Sequence, residues 1–205
     1  LIVQGDNLQF LKTCYRNEDP LIKDKVKGRV KLIYIDPPFA TKSDFKGKDN
    51  ENSYSDRVDS SEFIEGIRER LIYLKEILAD DGTIYVHLDQ KMSFHIKIVL
   101  DEIFGKEKFR NEIIWHYDIG TAPKNDLKRK HDTILRYTKS SNYFFNPPVI
   151  PPKNLERYDQ IDKDGRKYMV RGDTGKIVFA DDGQKDDDVW TFYKSDDLRT
   201  LNSMS

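Results

Sequence analysis

Apolar residues along this chain keep two rhythms, short β-prone runs and longer stretches in which they recur every three or four positions. Leu1-Ile2-Val3-Gln4-Gly5 reads as a short strand, and Leu8, Leu11 and Tyr15 then fall at helical spacing behind Asp6. Residues 17–29 are polar, contain Pro20 and Gly28, and read as a connection. Lys31-Leu-Ile-Tyr-Ile35 is a β-prone run that stops at Asp36-Pro37-Pro38-Phe39, which predicts a buried strand entering a stiff turn. After a polar loop at 40–58, Asp59-Ser-Ser-Glu62 resembles a capping box. Phe63, Ile64, Ile67, Leu71, Leu74, Ile77 and Leu78 then form one helix face, with Gly82 as the expected stop. Thr83 to Asp89 predicts another buried strand, and Ile96, Val99, Leu100, Ile103 and Phe104 a helix over 91–104 ended by Gly105.

This order of strand, loop, helix and strand is a βαβ unit, so the expected architecture is α/β, a Rossmann-like sheet. Its parallel strands are expected at 1–5, 30–36 and 83–89, with 111–117 and 131–138 as an antiparallel edge pair. From Asn146-Pro-Pro-Val-Ile-Pro-Pro152 the rhythm breaks, and Asp164-Gly165 and Asp173-Thr-Gly175 are hairpin signals. A boundary near 146 is expected, with a β-rich or irregular module over 147–205.

Composition changes this picture little. Charged residues make up 35% of the 205 and hydrophobic residues 37%, so the chain can bury a core beneath a heavily charged surface. The net charge of −1 leaves only the distribution of charge to speak about nucleic acid. Residues 121–140 hold six basic side chains against two acidic, a net of +4, whereas 181–188 hold five Asp and one Lys, a net of −4 that repels a phosphate backbone. A basic run is most often a solvated turn, but beside a strand pair at a sheet edge it is also a phosphate grip. The single Cys14 fits a reducing cytoplasm, and no apolar run approaches the ~20 residues of a membrane span.

The candidate chemistry centres on Asp36. In open α/β sheets ligands bind at the carboxyl ends of the strands, where this carboxylate is expected. Pro37 and Pro38 lack N–H groups and fix φ near −65°, so the turn presents carbonyl acceptors that have no ladder partner. A carboxylate, a carbonyl and the Phe39 ring can grip a planar amine, although taken alone Asp-Pro-Pro-Phe also ends strands without any function. Asp6 likewise reads either as a helix N-cap or as a ligand at a strand end. His87 and Asp89 read as a satisfied strand end or as a pocket wall. His131 beside Asp132 has no partner set at ligand spacing, so no metal is expected. Trp115 and Trp190 read as core.

The ordered set of segments Gly5-Asp6-Asn7-Leu8, Asp36-Pro37-Pro38-Phe39, Ile77 through Asp89, and Phe104-Gly105 through Trp115 resembles the amino-methyltransferases that modify adenine N6 or cytosine N4 in DNA. Within that family it is similar to the circularly permuted beta class, and in particular to the modification subunits of type III restriction systems. The resemblance covers essentially the whole chain. It implies a class I methyltransferase sheet, S-adenosylmethionine as cofactor, a flipped-out base, and a target-recognition region after the catalytic half. Residues 1–146 would be that catalytic half and 147–205 part of the recognition region.

The same resemblance implies site residues. Asp36, Pro37, Pro38 and Phe39 would be catalytic, with Asp6, Asp36 and Pro37 at the cofactor. Lys42, Lys46, Lys124, Lys128, Arg129 and Lys130 would lie along the DNA. Asp rather than Ser at the first position favours adenine N6 over cytosine N4, and Asp rather than Asn argues against protein or RNA substrates. Double-stranded DNA is the implied partner, with a second copy of the chain and a helicase/nuclease restriction subunit as further ones. The family's Phe-x-Gly-x-Gly cofactor loop is absent, for the eleven glycines contain no Gly-x-Gly pair. The chain is therefore expected to be a fragment, inactive and weak in cofactor binding by itself. The competing reading is a non-catalytic DNA-binding or scaffold remnant, which sequence beyond Ser205 would separate from the enzyme.

Overall fold

A computed structural model of the chain describes residues 2–38, 60–117 and 123–192. Helix α1 (Asn7–Arg16) begins at Asp6, whose Oδ1 accepts the Gln9 N–H at 2.8 Å, so the capping role holds. Leu11 and Cys14 are its buried positions. Strand β1 (Val30–Ile35) follows, then α2 (Ser60–Ile77), β2 (Leu78–Leu88), α3 (Ser93–Phe104), β3 (Phe109–Tyr117) and β4 (His131–Thr138). The pair β1 and β2 is parallel, with Ile33 beside Ile84 and Ile35 beside Val86, while β4 runs antiparallel to both β2 and β3. The expected βαβ unit and antiparallel pair are both present, but the pair is not the edge of the sheet, because a further strand lies outside β3. Helix α2 packs against α1 and α3, and Leu71, Ile84, Val86, Leu88, Ile96 and Leu100 lie in one core. Lys12 and Glu69 pair at 2.9 Å and Arg70 donates to Asn7 at 2.8 Å, which tie α1 to α2.

Two expectations fail locally. No strand forms over residues 2–4, where Ile2 and Val3 are exposed, and among the described residues β1 is the outermost strand at that side of the sheet. Helix α2 ends at Ile77, five residues before Gly82, and Leu78 is already paired with Val30. The register then jumps, with Leu32 beside Thr83, so that residues 79–82 bulge from the ladder. Gly82 is needed there for close approach, because a Cβ would stand 2.8 Å from Leu78 Cγ and 2.9 Å from the Ala79 carbonyl oxygen.

Residues 145–187 form a second compact unit. In it β5 (Val149–Ile150) pairs antiparallel with β9 (Gln184–Lys185), and β6 (Gln160–Ile161), β7 (Lys167–Val170) and β8 (Ile177–Phe179) make a three-stranded antiparallel sheet. Both hairpin signals fall in its turns. Gly165 takes φ +83 in one of them, a conformation that L side chains seldom adopt. The Arg166 guanidinium lies over the Phe179 ring and binds Asp181 with two hydrogen bonds of 2.7 Å.

The chain then returns to the first unit. Strand β10 (Val189–Phe192) pairs parallel with β3, giving the order β1-β2-β4-β3-β10. The stretch after 147 is thus not one region. The run of β-branched and aromatic residues Val189, Trp190, Thr191 and Phe192 was the available signal for this strand.

One polar contact in the core yields a stability prediction. Tyr137, fully buried on β4, donates to Asp101 Oδ1 at 2.7 Å, and Lys97 binds both Asp101 oxygens at 2.8 Å. Burial alone would raise the Asp101 pKa, but the hydrogen bonds from Lys97 and Tyr137 outweigh it and hold the carboxyl below its ordinary value. A carboxyl lowered in the folded state adds stability above its unfolded pKa of about 3.9 and loses it as pH falls through the folded value. Tyr137→Phe is expected to cost about 1.5–3 kcal/mol at pH 7, the worth of a hydrogen bond to a charged group. Urea unfolding should show that cost shrinking as acid protonates Asp101.

Candidate active site at the carboxyl edge of the sheet

The register brings four strand ends to one edge. Because β1 and β2 are parallel, Asp36 directly after β1 and His87 near the end of β2 emerge together. The antiparallel β4 starts at the same edge, since Leu88 pairs with Thr133, and the end of β3 joins it through His116 beside His131. Asp36 is exposed, Pro37 half-buried and Pro38 exposed. Phe39, Lys42 and Lys46 lie outside the described residues.

His87 is the hub of this edge. Its Nδ1 is 2.9 Å from the Tyr34 hydroxyl and 3.8 Å from Asp36 Oδ2, and its Nε2 is 3.5 Å from Asp132 Oδ2. The ring stacks on Trp115 with centroids 5.5 Å apart and planes within 9°. The His87 side chain is 12% exposed, against 55% for Asp36 and 23% for Asp132. Burial first, and then the Asp36 charge, push the Tyr34 hydroxyl above the usual tyrosine pKa. Tyr117, which donates to Asp132 at 3.4 Å, is pushed up by burial and then by Asp132. Both phenols therefore keep their protons and remain donors at neutral pH.

The other expected site residues are more dispersed. Asp6 sits exposed at the start of α1, where one of its oxygens is used in the cap. Asp89 accepts from the Lys91 and Met92 N–H groups at 3.1 and 2.9 Å, which makes it a turn ligand ahead of α3. Lys124, Lys128 and Arg129 are exposed in the segment before β4, Arg129 lies 3.8 Å from Asp126, and the Lys130 carbonyl accepts from Tyr117 N–H at 2.9 Å. Neither tryptophan is core: Trp115 is half-buried against His87, and Trp190 is exposed. The sequence carries His87, Trp115 and Asp132 on separate strands, so only the register unites them. Among the described residues no group of three His, Cys, Asp or Glu is arranged to hold a metal ion.

An exposed carboxylate beside carbonyls that have no N–H neighbours, set against a polar aromatic wall, can receive an amine with two N–H bonds. Comparison with known proteins shows the family. Residues 30–202 match the DNA methylase model for N6 and N4 methyltransferases. The type II methyltransferase M.EcaI of Enterobacter cloacae is 39% identical over 150 residues, 71% of this chain and 33% of that protein. The probable type III restriction-modification enzyme HindVI Mod subunit of Haemophilus influenzae is 29% identical over 238 residues, covering 100% of this chain and 30% of its own length. Among solved structures, PvuII DNA methyltransferase (cytosine-N4-specific) superposes with a TM-score of 0.46 at 16% identity, over 68% of this chain and 48% of that one. The chain spans about a third of the length of the curated relatives it matches. With the family model covering residues 30–202, the chain belongs to the N6/N4 DNA methylase family.

Proposed function

We propose that this chain is the catalytic part of a site-specific DNA methyltransferase that moves a methyl group from S-adenosylmethionine to N6 of a flipped-out adenine. The observation that carries the reading is the Asp36-Pro37-Pro38 turn, whose carboxylate stands exposed at the carboxyl end of β1. When bound, the cofactor supplies an electrophilic sulfonium methyl. The lone pair of N6 is delocalised into its ring, so the site must favour a pyramidal nitrogen. Asp36 accepts one N–H bond and the Pro37 or Pro38 carbonyl the other, which directs the lone pair outward and stabilises the positive charge that develops on nitrogen. Extruding the base costs a few kcal/mol. Stacking on Phe39 returns ~1–3 kcal/mol of that.

Asp6 and the Asp36-Pro37 turn are the residues assigned to the cofactor, because a carboxylate suits its adenine amine and the turn adjoins the transferred methyl. Lys124, Lys128, Arg129 and Lys130 are assigned to DNA phosphates, together with Lys42 and Lys46. Residues 1–146 act as the catalytic half together with β10, which joins their sheet, and recognition of the target sequence is assigned to the residues between them. The relatives named as Mod subunits support a place in a restriction-modification system, with a restriction subunit and a second copy of the chain as partners beside double-stranded DNA. A cytoplasmic location suits that role, and no helix among the described residues is long and apolar enough to cross a membrane. The test is transfer of a labelled methyl group from adenosylmethionine to duplex DNA by the protein at its natural length. Label should enter the DNA and stay out of RNA and protein; a preparation that binds duplex DNA yet transfers no label would favour the scaffold reading.

A further inference from the structure

The hub at His87 is not used by the chemistry above. An acceptor carboxylate works only when it is held in direction, and an Asp in a turn is ordinarily held by the backbone N–H groups of the residues that follow it. Here the next two residues are Pro37 and Pro38, which have none. Those two residues cannot hold the carboxylate through N–H groups, and the imidazole of His87 faces Asp36 from the neighbouring strand at 3.8 Å.

We propose that His87 is a positioning residue for Asp36, holding the acceptor carboxylate in direction from β2 while Asp132 and Trp115 fix the imidazole from β4 and β3. The proposal rests on the reading of Asp36 as the amine acceptor. Each side of the ring is occupied by a different group: Tyr34 and Asp36 at Nδ1, Asp132 at Nε2, and Trp115 on one face. Nδ1 makes its hydrogen bond with the Tyr34 hydroxyl at 2.9 Å, and Asp36 lies against the same edge of the ring at 3.8 Å. Asp132 is itself held by the Tyr117 hydroxyl, so the support runs through four strands of the sheet from β1 to β3. Strand-borne groups hold direction better than the proline turn can by itself.

Three substitutions at one position separate this role from simple packing. His87→Phe keeps the ring volume and the stack on Trp115 but removes both nitrogens. His87→Asn keeps a polar group near Nδ1, and His87→Gln keeps one near Nε2. In the protein at its natural length, His87→Phe should slow single-turnover methyl transfer by ~10- to 100-fold, the scale set by misplacing a reacting group by about 1 Å. The apparent affinity for DNA should stay within about twofold. His87→Asn should recover most of the rate and His87→Gln less, a pattern that a folding defect does not produce. In an Asp36→Ala background, His87→Phe should add nothing further.

A His87→Phe rate within twofold of the parent, with Asp36→Ala slow, would assign His87 to packing alone and overturn the proposal. So would an equal additional loss in the Asp36→Ala background, which would mean that His87 acts independently of Asp36. A parental rate for Asp36→Ala would instead overturn the reading on which the proposal stands.

Discussion

Asp36→Ala is expected to slow single-turnover methyl transfer by ~10²–10³ while leaving DNA affinity near that of the parent. The magnitude is that of removing one preorganised electrostatic contact from a transition state. Alanine also leaves an N–H of the target amine without its acceptor, which adds to the loss. Asp36→Asn should be milder, since its amide oxygen still accepts but lacks the negative charge. Charge-assisted hydrogen bonds are roughly twice as strong as neutral ones, so the asparagine variant should still lose much of the rate. Stability should change little, because the Asp36 side chain is 55% exposed. Rates within a few-fold of the parent for both variants would make the turn a strand ending and nothing more.

The second large effect is expected at the basic run and should fall on binding alone. Lys124, Lys128 and Arg129 are exposed, and Lys130 precedes β4 by one residue. If each of the four meets one phosphate, replacing all of them by Gln removes about four counterion releases. The slope of log K against log salt should then flatten by about 3 to 4, and affinity near 0.1 M salt should fall by ~10²–10³. Arg129 must first leave Asp126, a solvent-exposed pair at 3.8 Å, and exposed pairs of this kind are worth little. At saturating DNA the transfer rate should be close to that of the parent. Filter binding across a salt series is the measurement, and an unchanged slope would return the run to an ordinary solvated turn. The two sets of variants are thus expected to dissociate, Asp36 in rate and the basic run in affinity.

How much of this could be read from the sequence depended on how local each signal was. The turn at Asp36-Pro37-Pro38 and the strand before it are written in adjacent residues, and so are the two hairpin turns of the second unit. The cap at Asp6 was legible for the same reason. Gly82 misled because a glycine after an apolar helical face suggests a stop, whereas here it admits the close approach of Leu78 within a bulged strand. Residues 2–4 carry a strand's composition, yet they form no strand although the outer edge of β1 is open among the described residues. The His87 hub was the least legible. Its members stand at positions 34, 36, 87, 115 and 132, and they meet only because β4 runs between β2 and β3 in one particular register. Strand β10 was missed because the acidic run at 181–188 reads as solvated chain and hides the short β-prone run behind it.

The central claim is that the Asp36 turn presents adenine N6 to the methyl donor. The most direct measurement digests duplex DNA after incubation with the protein at its natural length and labelled adenosylmethionine, then identifies the methylated nucleoside by mass spectrometry. The account predicts N6-methyldeoxyadenosine carrying the label, lost in parallel when Asp36→Ala is used. Label found in N4-methyldeoxycytidine, or undiminished N6-methyldeoxyadenosine from Asp36→Ala, would contradict it.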